Sequence, residues 1–236
     1  MYRHIDSSKV QGTLGQLGRR ISERFPNSGL SKVCAEIELV ARETEEHCSW
    51  IARPQWSIRA AVGAVILIAA LGLASVFVRL QVRVESLDVS NILQGAEAAT
   101  NELVLLGLAA VFLAGVESRV KRKRALQGLH QLRALAHVVD MHQLTKDPES
   151  SVFPGRSTPS SPQRNLSPFE MVRYLDYASE MLALIGKVAA VYAQHFDDPA
   201  VLAAVNDIED LTTNLSQKIW QKVTIVESLR DRAGSH

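Results

Sequence analysis

The feature that most constrains this chain is an uncharged stretch of nineteen residues, Ala60–Val78. As an α-helix it would be about 28 Å long, close to the roughly 30 Å of a bilayer's hydrocarbon core. Trp56 and Arg59 precede it and Arg79 follows it, where membrane proteins place interfacial aromatic and basic residues. A buried helix of a soluble protein is the alternative, but so long a core helix usually carries a polar stripe. The stretch therefore predicts a transmembrane helix.

A second apolar stretch, Leu103–Val116, has only fourteen residues and would span about 21 Å as a helix, which is short for a membrane. Extending it back to Ala98 restores nineteen residues but includes Asn101 and Glu102. We predict a second transmembrane helix over 98–116, and hence a two-span transmembrane helical hairpin. The alternative is one spanning helix, with the second stretch buried in a soluble domain.

The distribution of Lys and Arg near the two stretches predicts their orientation. Residues 40–59 contain three and residues 117–136 contain six, whereas residues 79–102 contain two. Because cytoplasmic flanks are enriched in Lys and Arg, both termini are predicted to be cytoplasmic and the connection 79–97 to lie outside. The first thirty residues contain no apolar run, so no cleavable signal peptide is expected. The expected location is the cell membrane (inner or plasma membrane).

Residues 1–59 are predicted to form N-terminal cytoplasmic helices. Three glycines within 12–18 disfavour a helix at the start, so we expect residues 1–13 to be irregular. An amphipathic stretch follows, and a second helix is predicted over Leu30–Ala52. Helical spacing gives the side chains expected to be buried as Leu14, Leu17, Ile21, Phe25, Leu30, Val33, Ile37 and Val40.

The second span is predicted to continue into the cytoplasm over 117–146. No Gly-Pro turn signal that would end a helix occurs before Asp147, so one helix is expected to run from Ala98 to Lys146. The following segment, 147–168, contains five prolines and six serines and is predicted to be a flexible linker. A buried stripe on the long helix is expected at Ala125, Leu129, Leu132, Ala136 and Val139.

The C-terminal part, 169–232, is predicted to be a coiled-coil-like antiparallel helix pair. Ser167 and Glu170 match a capping box, with Pro168 at the first helical position, and Asp198 is the expected cap of the second helix. Alternating steps of 4 and 3 are typical of a bundle seam. They place the first seam at Met171, Leu175, Ala178, Leu182, Ile185, Ala189, Tyr192 and Phe196 and the second at Val201, Val205, Ile208, Thr212, Leu215 and Ile219. Since no strand-like alternation occurs, the predicted fold class is all-α, with a cytoplasmic helical bundle.

Composition and motifs narrow the classes of function. Lys plus Arg number 26 and Asp plus Glu 25, which argues against nucleic acid as a partner. The sequence contains no zinc-ligand spacing, no phosphate-binding glycine loop and no nucleophile elbow, so no catalytic residue, metal or cofactor is predicted. Whether the chain is an enzyme is uncertain, and we favour that it is not. Cys34 and Cys48 are interpreted as small apolar residues.

One polar edge could carry chemistry. His130, Arg133, His137 and Asp140 recur with steps of 3, 4 and 3 along the long helix. Two turns, about 10 Å, separate the two histidines, so this edge offers at most two ligands to one metal ion. The alternatives are a pH-sensitive switch, a catalytic edge, or a stripe that hydrogen-bonds to neighbouring helices.

Two further groups of residues have a membrane interpretation. The basic run Arg119, Lys121, Arg122, Lys123 and Arg124 could contact anionic lipid headgroups, at about 1 kcal/mol per residue, or could act only as a topology determinant. Asn101 and Glu102 could line the mouth of an oligomeric pore, or lie at the headgroup interface.

These patterns favour a membrane-anchored helical interaction, assembly or sensor module without intrinsic catalysis. The expected partners are membrane lipids and either a second copy or another protein, bound through 169–232. The alternative function is a subunit of an oligomeric ion channel or pore that its cytoplasmic helices gate. A third hypothesis, a membrane enzyme, depends on the edge containing His137 and Asp140.

Overall fold

The computed structural model describes residues 4–81, 89–146 and 166–234, which form α-helices and no strand. The all-α prediction is therefore confirmed for this part of the chain. Residues 147–165 of the predicted linker and residues 82–88 of the predicted outer connection lie outside the described residues. The helices are α1 (Ser7–Arg24), α2 (Gly29–Ala52), α3 (Trp56–Gln81), α4 (Val89–Ala114), α5 (Val116–Leu144), α6 (Pro168–His195) and α7 (Pro199–Gly234).

The chain divides into two compact units. The first unit combines Met1–Ala52 with Arg124–His236, and the second unit is Arg53–Lys123. Helix α5 begins in the second unit and ends in the first. In the second unit, α3 and α4 pack against each other.

One hydrophobic core holds the first unit together, with buried side chains from α1, α2, α5, α6 and α7. Every side chain that the helical spacing predicts to be buried is buried, except Phe196, which packs partly exposed against the core. Large aliphatic side chains contribute about 1.5–3 kcal/mol each when removed from water. Burial also raises the pKa of the Cys34 and Cys48 thiols, to about 11 and about 12, so both remain neutral thiols.

Helix α1 begins earlier than the sequence suggested: residues 4–6 are irregular as predicted, but the irregular structure predicted for 7–13 is wrong. The Asp6 carboxylate caps the helix by accepting from the backbone N–H groups of Ser8 (3.0 Å) and Lys9 (3.4 Å). Val10 is buried within the same segment. A cap is worth about 1 kcal/mol, and with apolar burial it outweighs a similar penalty for each glycine.

The single helix predicted from Ala98 to Lys146 is also wrong. Helix α4 starts earlier, at Val89, and ends at Ala114, and Gly115 separates it from α5. The Arg119 guanidinium donates to the Phe112 carbonyl oxygen at 3.2 Å, beside Gly115. A basic side chain that binds a terminal carbonyl stabilises the end of a helix, because it satisfies the carbonyl and offsets the helix dipole.

The predicted caps of α6 and α7 are confirmed. Ser167 Oγ accepts from the Glu170 N–H at 3.3 Å, and the Glu170 carboxylate accepts from the Ser167 N–H at 2.8 Å. Asp198 accepts from the N–H of Ala200 at 3.0 Å and that of Val201 at 3.3 Å. Residues near the start of α6 and near the end of α7 line one small cavity of about 110 Å³.

A lysine of α7 caps the end of α5. Lys222 Nζ donates to the carbonyl oxygen of Gln143 at 2.9 Å, to its side-chain Oε1 at 2.6 Å and to the carbonyl oxygen of Lys146 at 3.4 Å. Lys222 lies beside the buried stripe of α7, which continues from Ile219 to Val223 and Val226. The cation offsets the negative end of the α5 dipole.

Candidate functional site

The most unusual surface of the molecule is the apolar pair α3 and α4. No described side chain of either helix is buried. Soluble monomers rarely expose contiguous apolar patches larger than a few hundred Å². Large apolar side chains of the pair are 39% to 76% exposed, namely Val65, Ile66, Leu67, Ile68, Leu71, Leu103, Val104, Leu105, Leu108, Val111 and Phe112.

Two helical stretches of the described chain are long and apolar enough to cross a membrane. One lies within Gly29–Gly72 and the other within Leu103–Leu144, and their most apolar windows have mean hydropathies of 1.6 and 1.9. Neither window has any part buried inside the protein. The predicted span 60–78 lies within α3, and the predicted span 98–116 lies within α4 except for its last two residues.

Two pairs of an arginine with an aromatic ring mark the ends of the apolar helices. At the start of α3, Trp56 is 73% exposed, and the Arg59 guanidinium lies 5.9 Å from its ring centroid. Beyond the end of α4, the Arg119 guanidinium lies 4.0 Å from the ring centroid of Phe112. Such amphipathic pairs suit a boundary between hydrocarbon and water, since the ring and the arginine stem are apolar and the charged group is polar.

Glu117 joins these ends through a set of contacts that we call the Glu117 clasp. Its carboxylate accepts from the Gln55 N–H (3.2 Å), from Arg59 Nε (2.7 Å) and from Lys121 Nζ (2.9 Å). Lys121 also donates to the carbonyl oxygen of Arg53 at 2.9 Å. The residues before α3 and the first turn of α3 are thereby held to the first turns of α5. Arg59, Lys121 and the Gln55 N–H lower the pKa of Glu117 to about 2.

The sequence analysis missed the clasp. Its only local signal is the pair of Glu117 and Lys121, four residues apart on one helix, which is a common spacing for surface ion pairs. The rest of the Glu117 clasp depends on Arg59, which is 58 residues away from Glu117 in the chain. Nothing in the local pattern around Arg59 indicates that contact.

Replacing Glu117 with glutamine is expected to destabilise the second unit by about 1 kcal/mol near neutral pH, because a neutral amide cannot pair with both cations. The pKa of Glu117 is lowered from its ordinary 4.5 to about 2, so the clasp contributes fully above 4.5 and is lost as the pH falls through about 2. Thermal unfolding in detergent should therefore separate wild type from Glu117→Gln near neutral pH and bring them together near pH 2.

The exposed Glu97, on the same unit, supplies the control. The variant Glu97→Gln should not reproduce the pH-dependent difference. A difference between wild type and Glu117→Gln that stays constant from neutral pH down to about pH 2 would contradict the charge-dependent clasp.

The structure divides the basic run among different contacts. Lys121 belongs to the Glu117 clasp, and the Arg124 guanidinium lies 4.6 Å from the ring centroid of Trp50. Arg119 reaches back to Phe112, while Arg122 is half-buried and Lys123 is exposed. Contact of these residues with lipid headgroups stays a prediction, and Lys121 has the least exposed side chain among the three charged residues of the Glu117 clasp.

The polar edge on α5 is not gathered into one site. His130, Arg133 and His137 are exposed, and Asp140 accepts from Gln143 Nε2 at 2.6 Å. Among the described residues, no group of three or more His, Cys, Asp or Glu side chains could hold a metal ion. The edge stays a prediction as a switch, and its exposure places its histidines outside the contacts between helices.

The pore-mouth interpretation also stays a prediction. Asn101 is exposed on α4, whereas the side chain of Glu102 lies outside those that the structure describes. Conductance of purified protein in planar bilayers, with Glu102→Leu as the variant, would test it.

A polar contact inside the first unit was not predicted either. The Tyr192 hydroxyl lies 3.2 Å from His47 Nδ1 and packs against the backbone of Gly128. Burial raises the pKa of Tyr192 to about 12, and burial together with Arg124 lowers the pKa of His47. The sequence indicated Gly128 only as a weak point in a helix. In the structure the Tyr192 side chain of α6 contacts Gly128 of α5 and leaves no room there for a Cβ atom.

No family model, no curated protein and no solved structure matches this chain. Its own residues and their geometry are therefore the basis for proposing what it does.

Proposed function

We propose that this chain is a membrane-anchored helical interaction module, in which α3 and α4 form a two-span transmembrane hairpin. The observation that carries the proposal is the exposure of the large apolar side chains on both helices. Transfer of each such side chain from water to hydrocarbon would contribute about 1.5–3 kcal/mol. The clasp supports a hairpin, since it holds the start of α3 close to the residues that follow α4.

In this proposal both termini are cytoplasmic and the protein resides in the cell membrane. The excess of Lys and Arg in 40–59 and 117–136 over 79–102 supports that orientation. Trp56, Arg59 and Arg119 would then lie at the depth of the cytoplasmic headgroups. The first unit would be a cytoplasmic helical bundle that contains the antiparallel pair α6 and α7.

Membrane fractionation and residue accessibility test the anchor and its orientation. The protein should resist extraction by alkaline carbonate and be released by detergent. In a chain with Cys34 and Cys48 replaced by alanine, an impermeant thiol reagent should label Ser86→Cys in intact cells. It should label Ser235→Cys only after permeabilisation. Release by carbonate would contradict the anchor, and the opposite labelling would contradict the orientation.

The interaction surface of the proposed module is the groove between α6 and α7, which has a volume of about 550 Å³. Its floor includes the small residues Ala183 and Gly186, which permit close approach of another helix. Lys187 lines it from α6 and Glu209 from α7. Because one groove carries both charges, two copies related by a twofold axis could pair Lys187 of one with Glu209 of the other. The proposed partner is therefore a second copy of this chain.

Charge reversal tests this pairing directly. Light scattering of the detergent-solubilised protein should give the mass of a dimer, and Lys187→Glu should dissociate it. Lys187→Glu combined with Glu209→Lys should restore the dimer, because the opposite charges are again paired. Ile225→Ser, an exposed apolar residue of α7 outside the groove, is the matched control. A mass that none of these variants changes would contradict this surface as the interface.

A further inference from the structure

A second groove in the first unit is rich in arginine. It has a volume of about 500 Å³ and is lined by Arg20, Glu23 and Arg24 of α1 and by Arg173 and Tyr177 of α6. Arg20 and Arg24 are four residues apart, as are Arg173 and Tyr177, so each pair lies on one face of its helix. We call it the arginine groove. Its lining residues are distinct from those of the groove proposed as the interface.

Contacts within the protein hold the three guanidinium groups in place. Arg20 pairs with Glu180 at 2.8 Å and lies 4.9 Å from the ring centroid of Tyr177. Arg173 pairs with Asp176 at 3.1 Å. Arg24 lies 5.3 Å from the ring centroid of Phe169. Groups that are already oriented lose less side-chain entropy when they bind a ligand.

One donor of Arg173 stands out; this residue lines the arginine groove and also the cavity of about 110 Å³ between α6 and α7. Arg173 Nε is buried and has no hydrogen-bond acceptor within the part of the chain that the structure describes. A buried donor without an acceptor is unfavourable, so a small movement of the Arg173 side chain that lets a phosphate accept from Nε would add to binding. Guanidinium groups present several parallel donors, a geometry that matches the oxygens of a phosphate.

We infer that the arginine groove binds a phosphate group, with Arg24 and Arg173 as its principal donors. The nearby carboxylates limit the affinity, because Glu23 lines the same groove and Glu180 and Asp176 already pair with two of the arginines. A dissociation constant on the order of 1 mM for inorganic phosphate is expected at low salt. The phosphate could belong to a soluble molecule or to a lipid headgroup.

Nuclear magnetic resonance of the arginine Nε–H groups tests the inference, because it measures phosphate binding at each arginine. The probe is inorganic phosphate, added at constant ionic strength to the full chain in a zwitterionic detergent. The Arg173 Nε–H signal should shift with a saturable dependence on phosphate. Arg173→Lys and Arg24→Gln should each weaken binding at least about tenfold, because each loses oriented donors. Arg24 is exposed, so its replacement leaves the core intact. The Arg24 variant therefore tests the inference even if an Arg173 variant does not fold.

Controls separate the groove from general anion binding. Arg19→Gln, an exposed position on α1 outside the groove, should bind phosphate as wild type does. Equal weakening by Arg19→Gln and Arg24→Gln, or an equal response to acetate, would overturn the inference.

Nanodiscs of phosphatidylcholine with and without phosphatidic acid distinguish the source of the phosphate group. A response to phosphatidic acid alone indicates a lipid phosphate, and a response to inorganic phosphate indicates a soluble one. No response to either would overturn the inference.

Discussion

Replacing Gly128 with alanine is expected to destabilise the first unit by about 3 kcal/mol, through overpacking of its core. A Cβ atom at this position would lie 2.0 Å from the Tyr192 hydroxyl oxygen and 2.8 Å from the ring carbon that bears it. The ring cannot easily move aside, since Tyr192 is fully buried and its hydroxyl contacts His47. Thermal unfolding in detergent, followed by helical circular dichroism, should show a fall of about 10 °C.

Gly12→Ala is the matched control for this variant. Gly12 is an exposed residue of α1, and a Cβ atom there would meet nothing within 4 Å. Alanine should therefore stabilise the helix by about 0.5–1 kcal/mol. Gly128→Ala with Tyr192→Phe should recover part of the loss, since the hydroxyl is then absent. Two glycine variants with equal stability would contradict the close contact between the Tyr192 side chain and Gly128.

Features that depend on neighbouring residues could be predicted from the sequence. The capping box at Ser167 and the cap at Asp198 each need only a few consecutive residues. The buried seams of α6 and α7 need only a repeating step of 3 and 4. Both kinds of signal act over one or two turns of helix, where the geometry is nearly fixed. This explains why the helices of the first unit and their buried faces were predicted well.

Features that depend on contacts between distant segments could not be predicted. The end of α4 at Gly115 follows from a glycine together with an arginine that turns back to bind a carbonyl oxygen. The role of Gly128 follows from the position of Tyr192, which is 64 residues further along the chain. The Glu117 clasp likewise needs Arg59. Helix propensity contains no information about any of these partners, since it measures a residue in isolation.

The candidate site shows the same contrast between features that depend on neighbouring residues and features that depend on distant ones. The apolar stretches of α3 and α4 were evident because their signal is their own composition. The arginine groove was missed, because Arg24 and Arg173 come together only when α1 packs on α6. The exposure of His130 and His137 could have been anticipated, however. Each directly follows a buried residue of the α5 stripe, and one step along a helix turns a side chain by about 100°, away from the core.

Replacing both Ile68 and Leu108 with arginine is expected to prevent stable insertion into the membrane. Both side chains are exposed and lie near the middle of the predicted spans. Arginine at the centre of a spanning helix costs about 2.5–3.5 kcal/mol, so each substitution should lower the ratio of inserted to non-inserted protein roughly a hundredfold. The fraction of protein that resists alkaline carbonate should therefore fall from nearly all to a small minority.

The same substitutions discriminate sharply between lipid and water as the surroundings of α3 and α4. In a water-soluble protein, arginine at an exposed apolar position is almost neutral for stability and improves solubility. Leu39→Arg provides that reference within the chain, because Leu39 is 49% exposed on α2 in the first unit. The Leu39→Arg protein should remain in the membrane and unfold like wild type. Were the double variant instead monodisperse without detergent and as stable as Leu39→Arg, α3 and α4 would be surface helices in water, and the proposed anchor would be wrong.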